Sequence, residues 1–224
     1  MAVNGHPDPP VRFQLDATGV ATLTIDRPDR RNALSWEVVR ELRRLVARCR
    51  TEDDVRVVVL TGAGDVAFCA GADLSDMGGA EGHLAEHDSR GELAALFEDL
   101  WSLGKPTIAR VRGYALAGGM GLALSCDLVV AADDARFGTP EIRVGLWPFM
   151  ITVPLLRSLS PRHALDLMMT GRQVDAAEAQ QLGIVNRVVS VELLDAEVAA
   201  LAADLAAASP VLMRLGRDSF YAVT

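Results

Sequence analysis

The chain has 224 residues, 50% of them hydrophobic and 23% charged, with a net charge of −8. That length and balance suit a globular protein with a full core, and the acidic surplus argues against a nucleic-acid partner, which needs a basic footprint. No apolar run approaches the roughly 20 residues that span a bilayer, and Cys49, Cys69 and Cys126 are odd in number and widely spaced. They form neither a disulfide framework nor a zinc site and suggest a reducing, cytoplasmic setting.

Residues 1–10 are polar, end on Pro9 and Pro10 and lack an apolar signal core, so they read as a disordered lead-in. Residues 11–15 and 20–25 are expected to be strands around a turn at 17–19. Residues 26–31 form a charged loop around Pro28. Ser35 is placed to cap a helix whose apolar residues Val38, Val39, Leu42, Leu45 and Val46 share one face. The β-branched run 55–60 is too apolar for a surface strand and predicts a buried one. Residues 67–79 look irregular and glycine-rich. A helical pattern over 92–103 stops at Gly104 and Pro106, and 107–111 is a short strand. Residues 113–121 form a second glycine-rich turn that continues as a helix through 125, and 128–132 is strand-like again. A helix is expected near 151–159. Ser160 caps the next one, with Pro161 in its first position. Asp175 and Glu178 have capping-box spacing for a helix that Gly183 would end. Residues 184–189 return as a strand, and the alanine-rich stretch 199–208 is a helix. Strands alternating with helices indicate an α/β fold.

Several motifs invite chemistry. Gly62, Gly64 and Ala67 after a strand imitate a dinucleotide-binding fingerprint. Residues 68–73 have no helical period, however, and no acidic residue ends a following strand, so that reading fails. His83 and His87 have ligand spacing without a third clustered ligand, and a solvated loop or helix explains them. His163 reads as structural, Ser125 and Asp127 lack a matched histidine, and Tyr114 is expected to pack. Segments 69–74 and 113–121 are more informative, because small residues in both allow backbone to approach a ligand closely. Two N–H groups converging there would form an oxyanion hole for a thioester enolate. Tight strand–helix packing is the bland alternative.

The order of these segments is specific. Residues 31–35 (RNALS), 67–74 (AFCAGADL), Lys105-Pro106, 113–121 (GYALAGGMG), Cys126-Asp127 and 137–142 (FGTPEI) resemble successive blocks of the crotonase, or enoyl-CoA hydratase/isomerase, family. The likeness runs from about Val11 to Val189. It implies a repeated ββα spiral core over residues 11–190, followed by a partial, shortened C-terminal helical segment over 191–224. It also implies a homotrimer or dimer of trimers acting on an acyl-CoA substrate, without metal or other cofactor and away from any membrane. By position, the oxyanion amides would be those of Ala72 and Gly118. Backbone at Ala70, Asp73 and Leu74 would border the adenine of coenzyme A, with Arg31 and Ala33 near its pantetheine and phosphates. Asp73 could equally serve as a local turn residue.

One departure bears on the reaction. Hydratases of this family hold a water between two glutamates. Glu141 matches the second, but the first falls on Gly121, with no neighbouring carboxylate to replace it. Met120 and the stretch 145–151 (GLWPFMI) are expected to make the acyl pocket apolar. That would raise the pKa of Glu141 and leave a water few partners. One carboxylate suffices to move a proton between the α- and γ-carbons of an enoyl thioester. The sequence therefore favours double-bond isomerisation, with hydration, decarboxylation or acyl-CoA binding without turnover as alternatives. A salt bridge to a nearby arginine such as Arg143, or service as a polar turn residue, would be the structural role for Glu141.

Overall fold

The computed structural model describes residues 9–73 and 82–223, with the backbone alone for residues 82–90. Leu74 and residues 1–8 of the expected lead-in 1–10 lie outside the described residues, as do the side chains of His83 and His87.

The chain opens with the hairpin β1 (Val11–Leu15) and β2 (Val20–Ile25), closed by Asp16, whose carboxylate accepts from the Thr18 and Val20 amides. Helix α1 (Trp36–Thr51) starts where expected, with Ser35 Oγ accepting from the Val38 amide at 3.2 Å. Its face of Val38, Val39, Leu42, Leu45 and Val46 is fully buried. Each such side chain contributes about 1.5–3 kcal/mol, more than the propensity differences along the helix.

Three repeats follow. In the first, β3 (Val57–Gly62) and β4 (Ala67–Cys69) precede α2 (Gly82–Trp101). The second comprises β5 (Thr107–Val111), β6 (Tyr114–Leu116) and α3 (Gly118–Leu124), and the third opens with β7 (Leu128–Ala132) and β8 (Arg136–Gly138). The first strand of each repeat enters a six-stranded sheet ordered β1-β2-β3-β5-β7-β10. The second strand of each enters a four-stranded sheet ordered β4-β6-β8-β9. Within each sheet the repeat strands pair in parallel, which is the ββα spiral of a crotonase fold.

After a 3-10 turn at Pro140–Val144 come α4 (Thr152–Ser158), α5 (Pro161–Thr170), β9 (Gln173–Asp175), α6 (Ala176–Leu182), β10 (Arg187–Val189), α7 (Leu194–Ala207) and α8 (Pro210–Tyr221). Ser160, Asp175 and Ser209 cap α5, α6 and α8, and Gly183 ends α6 in a left-handed conformation. All six residues of β3 are buried because both its faces are covered. Val58 and Leu60 belong to the main core with α1, α2 and α3, while Val57 and Val59 pack with Ile108 and Val130 against Leu194, Val198 and Leu201 of α7.

Three expectations need correction. Helix α2 begins at Gly82, ten residues before its apolar periodicity, since Gly91 and the flanking charges hide the helical pattern. The second glycine-rich segment is a short strand followed directly by a helix, because β6 finds partners in β4 and β8. Tyr114, the first residue of β6, packs only in part and is 38% exposed. His163 is exposed on α5, its amide bonded to the Ser160 cap. The three cysteines are free and buried, and burial pushes the Cys49 thiol up to about 11 and Cys69 to about 12.

Asp127 ties α8 to the sheets. Its carboxylate accepts from the Thr107 amide at 2.7 Å and from Arg217 Nε and Nη2 at 2.8 and 2.9 Å. The Tyr221 hydroxyl donates to it at 2.6 Å. Arg217 is itself buried, so truncating it strands a carboxylate with little water. Arg217→Ala should lower stability by about 3 kcal/mol, read from urea unfolding.

Candidate functional site

The site begins at Asn32, which is fully buried. Its Nδ2 donates to the carbonyls of Ala63 and Ala67 at 2.9 and 2.6 Å, and its Oδ1 accepts from the Arg27 amide at 3.0 Å. This side chain staples loop 27–33 to the end of β3 and the start of β4. Arg31 and Asn32 adopt left-handed backbone there, with φ of 51° and 55°.

The staple sets up a short parallel bridge between Leu34 and Ala72. The Leu34 amide donates to the Gly71 carbonyl at 2.8 Å and the Asp73 amide to the Leu34 carbonyl at 3.0 Å. These bonds use the peptide groups on either side of Ala72, so its own N–H faces away from Leu34. Gly71 in turn lies against the start of α3: a Cβ on it would stand 2.7 Å from Ala117 Cβ and 3.6 Å from Gly118 N.

Ala117 holds φ 52° and ψ −128°, a conformation that costs a non-glycine residue about 1–3 kcal/mol. The Ala117 amide donates to the Gly138 carbonyl at 2.9 Å, which fixes the strained residue to β8. The next amide, that of Gly118, lies in the first turn of α3 and has no acceptor among the described residues. The amides of Ala72 and Gly118 are thereby brought to neighbouring backbone.

The residues expected around coenzyme A also gather here, Leu74 excepted. The Arg31 carbonyl accepts from the Ala70 amide at 3.1 Å, and the Ala33 carbonyl accepts from Arg27 Nη1 at 2.8 Å. Asp73 is buried and paired with Arg27 Nη2 at 3.0 Å. Arg27 and Asn32 are the site residues that motif reading left without a role. The buried-polar signal of Asn32 shows only in three dimensions. A cavity of about 610 Å³ beside this cluster is lined by Arg27, Arg30, Trp36, Arg40 and Asp73 among others.

Glu141 lies three residues beyond the anchored Gly138, in the turn Pro140–Val144. Its Oε2 is buried and has no partner among the described residues. Burial pushes its pKa up, opposed by a contact with its own backbone N–H. The anticipated bridge to Arg143 is not formed: the Arg143 side chain lies along Gly171, with Nε 3.2 Å from where a Cβ there would be.

The surroundings of Glu141 differ in part from expectation. Met120 is fully buried in the core, and Leu146 and Phe149 are 47% and 74% exposed. Trp147 and Met150 are half-buried against the core, and Ile151 is fully buried. Ile151 takes the place of the missing side chain: a Cβ on Gly121 would meet Ile151 Cγ2 at 2.4 Å and Phe97 Cζ at 3.1 Å.

A family model described as enoyl-CoA hydratase/isomerase matches residues 16–224. The chain belongs to the enoyl-CoA hydratase/isomerase family. It is 39% identical over 212 residues to a Thermus thermophilus protein classed among the enoyl-CoA hydratases, covering 94% of this chain and 83% of the relative. The short-chain-enoyl-CoA hydratase of Clostridium acetobutylicum is 37% identical over 202 residues, covering 89% and 77%. A crystal structure of a Mycobacterium smegmatis enoyl-CoA hydratase superposes with a TM-score of 0.93 at 35% identity, covering 96% of this chain and 83% of that one. Membership makes this chain an enzyme of the hydratase/isomerase class, and the family acts on acyl-CoA substrates.

For a member of this family, the filled space at Gly121 has a direct consequence. Gly121→Glu alone should destabilise the protein by about 3 kcal/mol, combining overpacking with an unpaired buried carboxyl. Adding Ile151→Gly should recover a substantial part of that loss. Equal thermal midpoints for the single variant and wild type would contradict the packing described here.

Proposed function

We propose that the protein isomerises the double bond of an enoyl-CoA thioester with Glu141 as its single acid/base. The observations carrying this reading are the buried Oε2 of Glu141, without a partner among the described residues, and the space beside Gly121, which Ile151 and Phe97 already fill. The Glu141 carboxylate takes a proton from the α-carbon of a 3-enoyl thioester. The electron pair moves onto the thioester oxygen as a dienolate, held by the amides of Ala72 and Gly118 in a water-poor site. Glu141 returns the same proton to the γ-carbon, leaving the double bond between the α- and β-carbons. No metal or redox group is needed, and coenzyme A enters only as part of the substrate. Arg31, Ala33, Ala70, Asp73 and Leu74 would line its carrier portion.

Hydration is the second reading, favoured by the names of the relatives, and it requires another polar group to hold the water. The exposed apolar side chains Val144, Leu146, Phe149 and Val153 support assembly as a homotrimer or dimer of trimers. The buried, unpaired cysteines support a cytoplasmic setting.

The test is turnover of a 3-enoyl-CoA. Glu141→Gln should lower kcat by about 10²–10⁴-fold with little change in KM. Proton abstraction needs the charged carboxylate, and burial raises its pKa. Wild-type activity should therefore fall on acidification through a midpoint above the ordinary glutamate value of 4.5. Full turnover by the glutamine variant would remove Glu141 from the chemistry.

A further inference from the structure

A second cavity opens at the far end of α1 from the candidate site. Trp36 and Arg40 near the start of the helix line the first cavity, and Arg50 near its end lines the second, roughly 20 Å along the helix. The chain bends by 103° between α7 and α8. The cavity, of about 620 Å³, lies in that bend against the α1–β3 and α2–β5 connections, and its size is that of a small-molecule site. Neither Glu141 nor the segments carrying Ala72 and Gly118 line it.

Arg56, Lys105 and Arg214 line this cavity, and none has a carboxylate partner among the described residues. Main chain holds them instead. Arg56 Nη2 donates to the Ala208 carbonyl at 2.7 Å, and Lys105 Nζ donates to the carbonyls of Cys49 and Glu52 at 2.6 and 2.5 Å. The stem of Arg214 lies on Gly104, its Cγ 3.3 Å from where a Cβ there would stand. Lys105 keeps a third N–H and Arg56 most of its five, so donors remain for a ligand. Heads already held by backbone lose little freedom on binding.

The lining also says what kind of ligand fits. Arg50 contributes to it but is committed to Asp99 and Ser102. Asp53 and Asp218 are its carboxylates. With Arg50 set aside, three cations face two carboxylates, a surplus of one positive charge in a chain of net −8. The rest of the wall is largely aliphatic: Val55 and Leu103 are buried, with Leu205, Val211 and Met213 beside them. No aromatic ring lines it, so a nucleotide base would find nothing to stack on. One negative charge on an alkyl chain matches both features.

We propose that this cavity is a second binding site, separate from the thioester site, for an aliphatic carboxylate, a fatty acid in its free form. The carboxylate head lies among Arg56, Lys105 and Arg214, and the chain runs along Leu103, Leu205 and Met213. Such a ligand is the acyl part of an acyl thioester without its coenzyme A. The site is independent of the role given to Glu141.

Lys105 is the only lysine in the chain, so protein made with isotope-labelled lysine gives one ε-carbon NMR signal, from the site itself. Decanoate, kept below its micelle concentration, should shift that signal saturably. Decanol, which lacks the charge, and acetate, which lacks the chain, should each bind at least about tenfold more weakly. Arg214→Gln should weaken decanoate by about tenfold, the equivalent of one charge-assisted hydrogen bond. Arg214 has no hydrogen-bonded partner among the described residues, so its loss leaves the fold intact. Saturating coenzyme A should leave the titration unchanged. A signal that decanoate does not move would overturn the proposal, as would equal affinity for decanol or for inorganic phosphate. Unweakened binding by Arg214→Gln would remove the assigned head group. Competition by coenzyme A would return the ligand to the thioester site and overturn the second one.

Discussion

The candidate site depends on one close approach of backbone to backbone. A Cβ on Gly119 would sit 2.1 Å from the Cys69 carbonyl oxygen, so α3 can begin against the end of β4 only with glycine there. From that contact the rest follows. It brings Gly118 near the segment after β4 that carries Ala72, and Gly71, with φ 101°, lies against Ala117. The price of the arrangement is the strained backbone of Ala117, which its bond to Gly138 offsets in part. Asn32 completes the frame from one buried side chain, with two hydrogen bonds that hold the neighbouring loop to the ends of β3 and β4 and a third within the loop.

The same frame explains how the chain tolerates losing a carboxylate. A glycine within α3 would ordinarily leave a hole, and holes in a core cost stability in proportion to their volume. Ile151 and the ring of Phe97 fill the space beside Gly121, so the change from an acidic side chain to none is matched by apolar bulk from elsewhere. Burial raises the pKa of Glu141, and a single carboxylate with a raised pKa suits proton transfer better than it suits holding a water.

Much of this was legible in the sequence where the governing interaction is local. The caps at Ser35, Ser160 and Asp175 lie within three residues of the amides they accept, and spacing alone revealed them. The buried strand β3 showed itself through its β-branched run. The ordered glycine-rich blocks marked the segments that carry Ala72 and Gly118. What escaped notice depends on distant partners. Arg27 meets Asp73 across 46 positions, Arg217 meets Asp127 across 90, and Ile151 fits a glycine thirty places earlier, a complement no periodicity encodes. Met120 looked like pocket lining because it sits among the site glycines, yet helical geometry turns it into the core.

The central claim is that this site moves a proton and leaves water alone. The most direct measurement is proton NMR of a 3-enoyl-CoA incubated with the enzyme in D2O. The account predicts conversion to the 2-enoyl isomer, with any deuterium confined to the α- and γ-carbons and no 3-hydroxyacyl thioester accumulating. A 3-hydroxyacyl-CoA as the main product, formed as fast as the double bond moves, would contradict it.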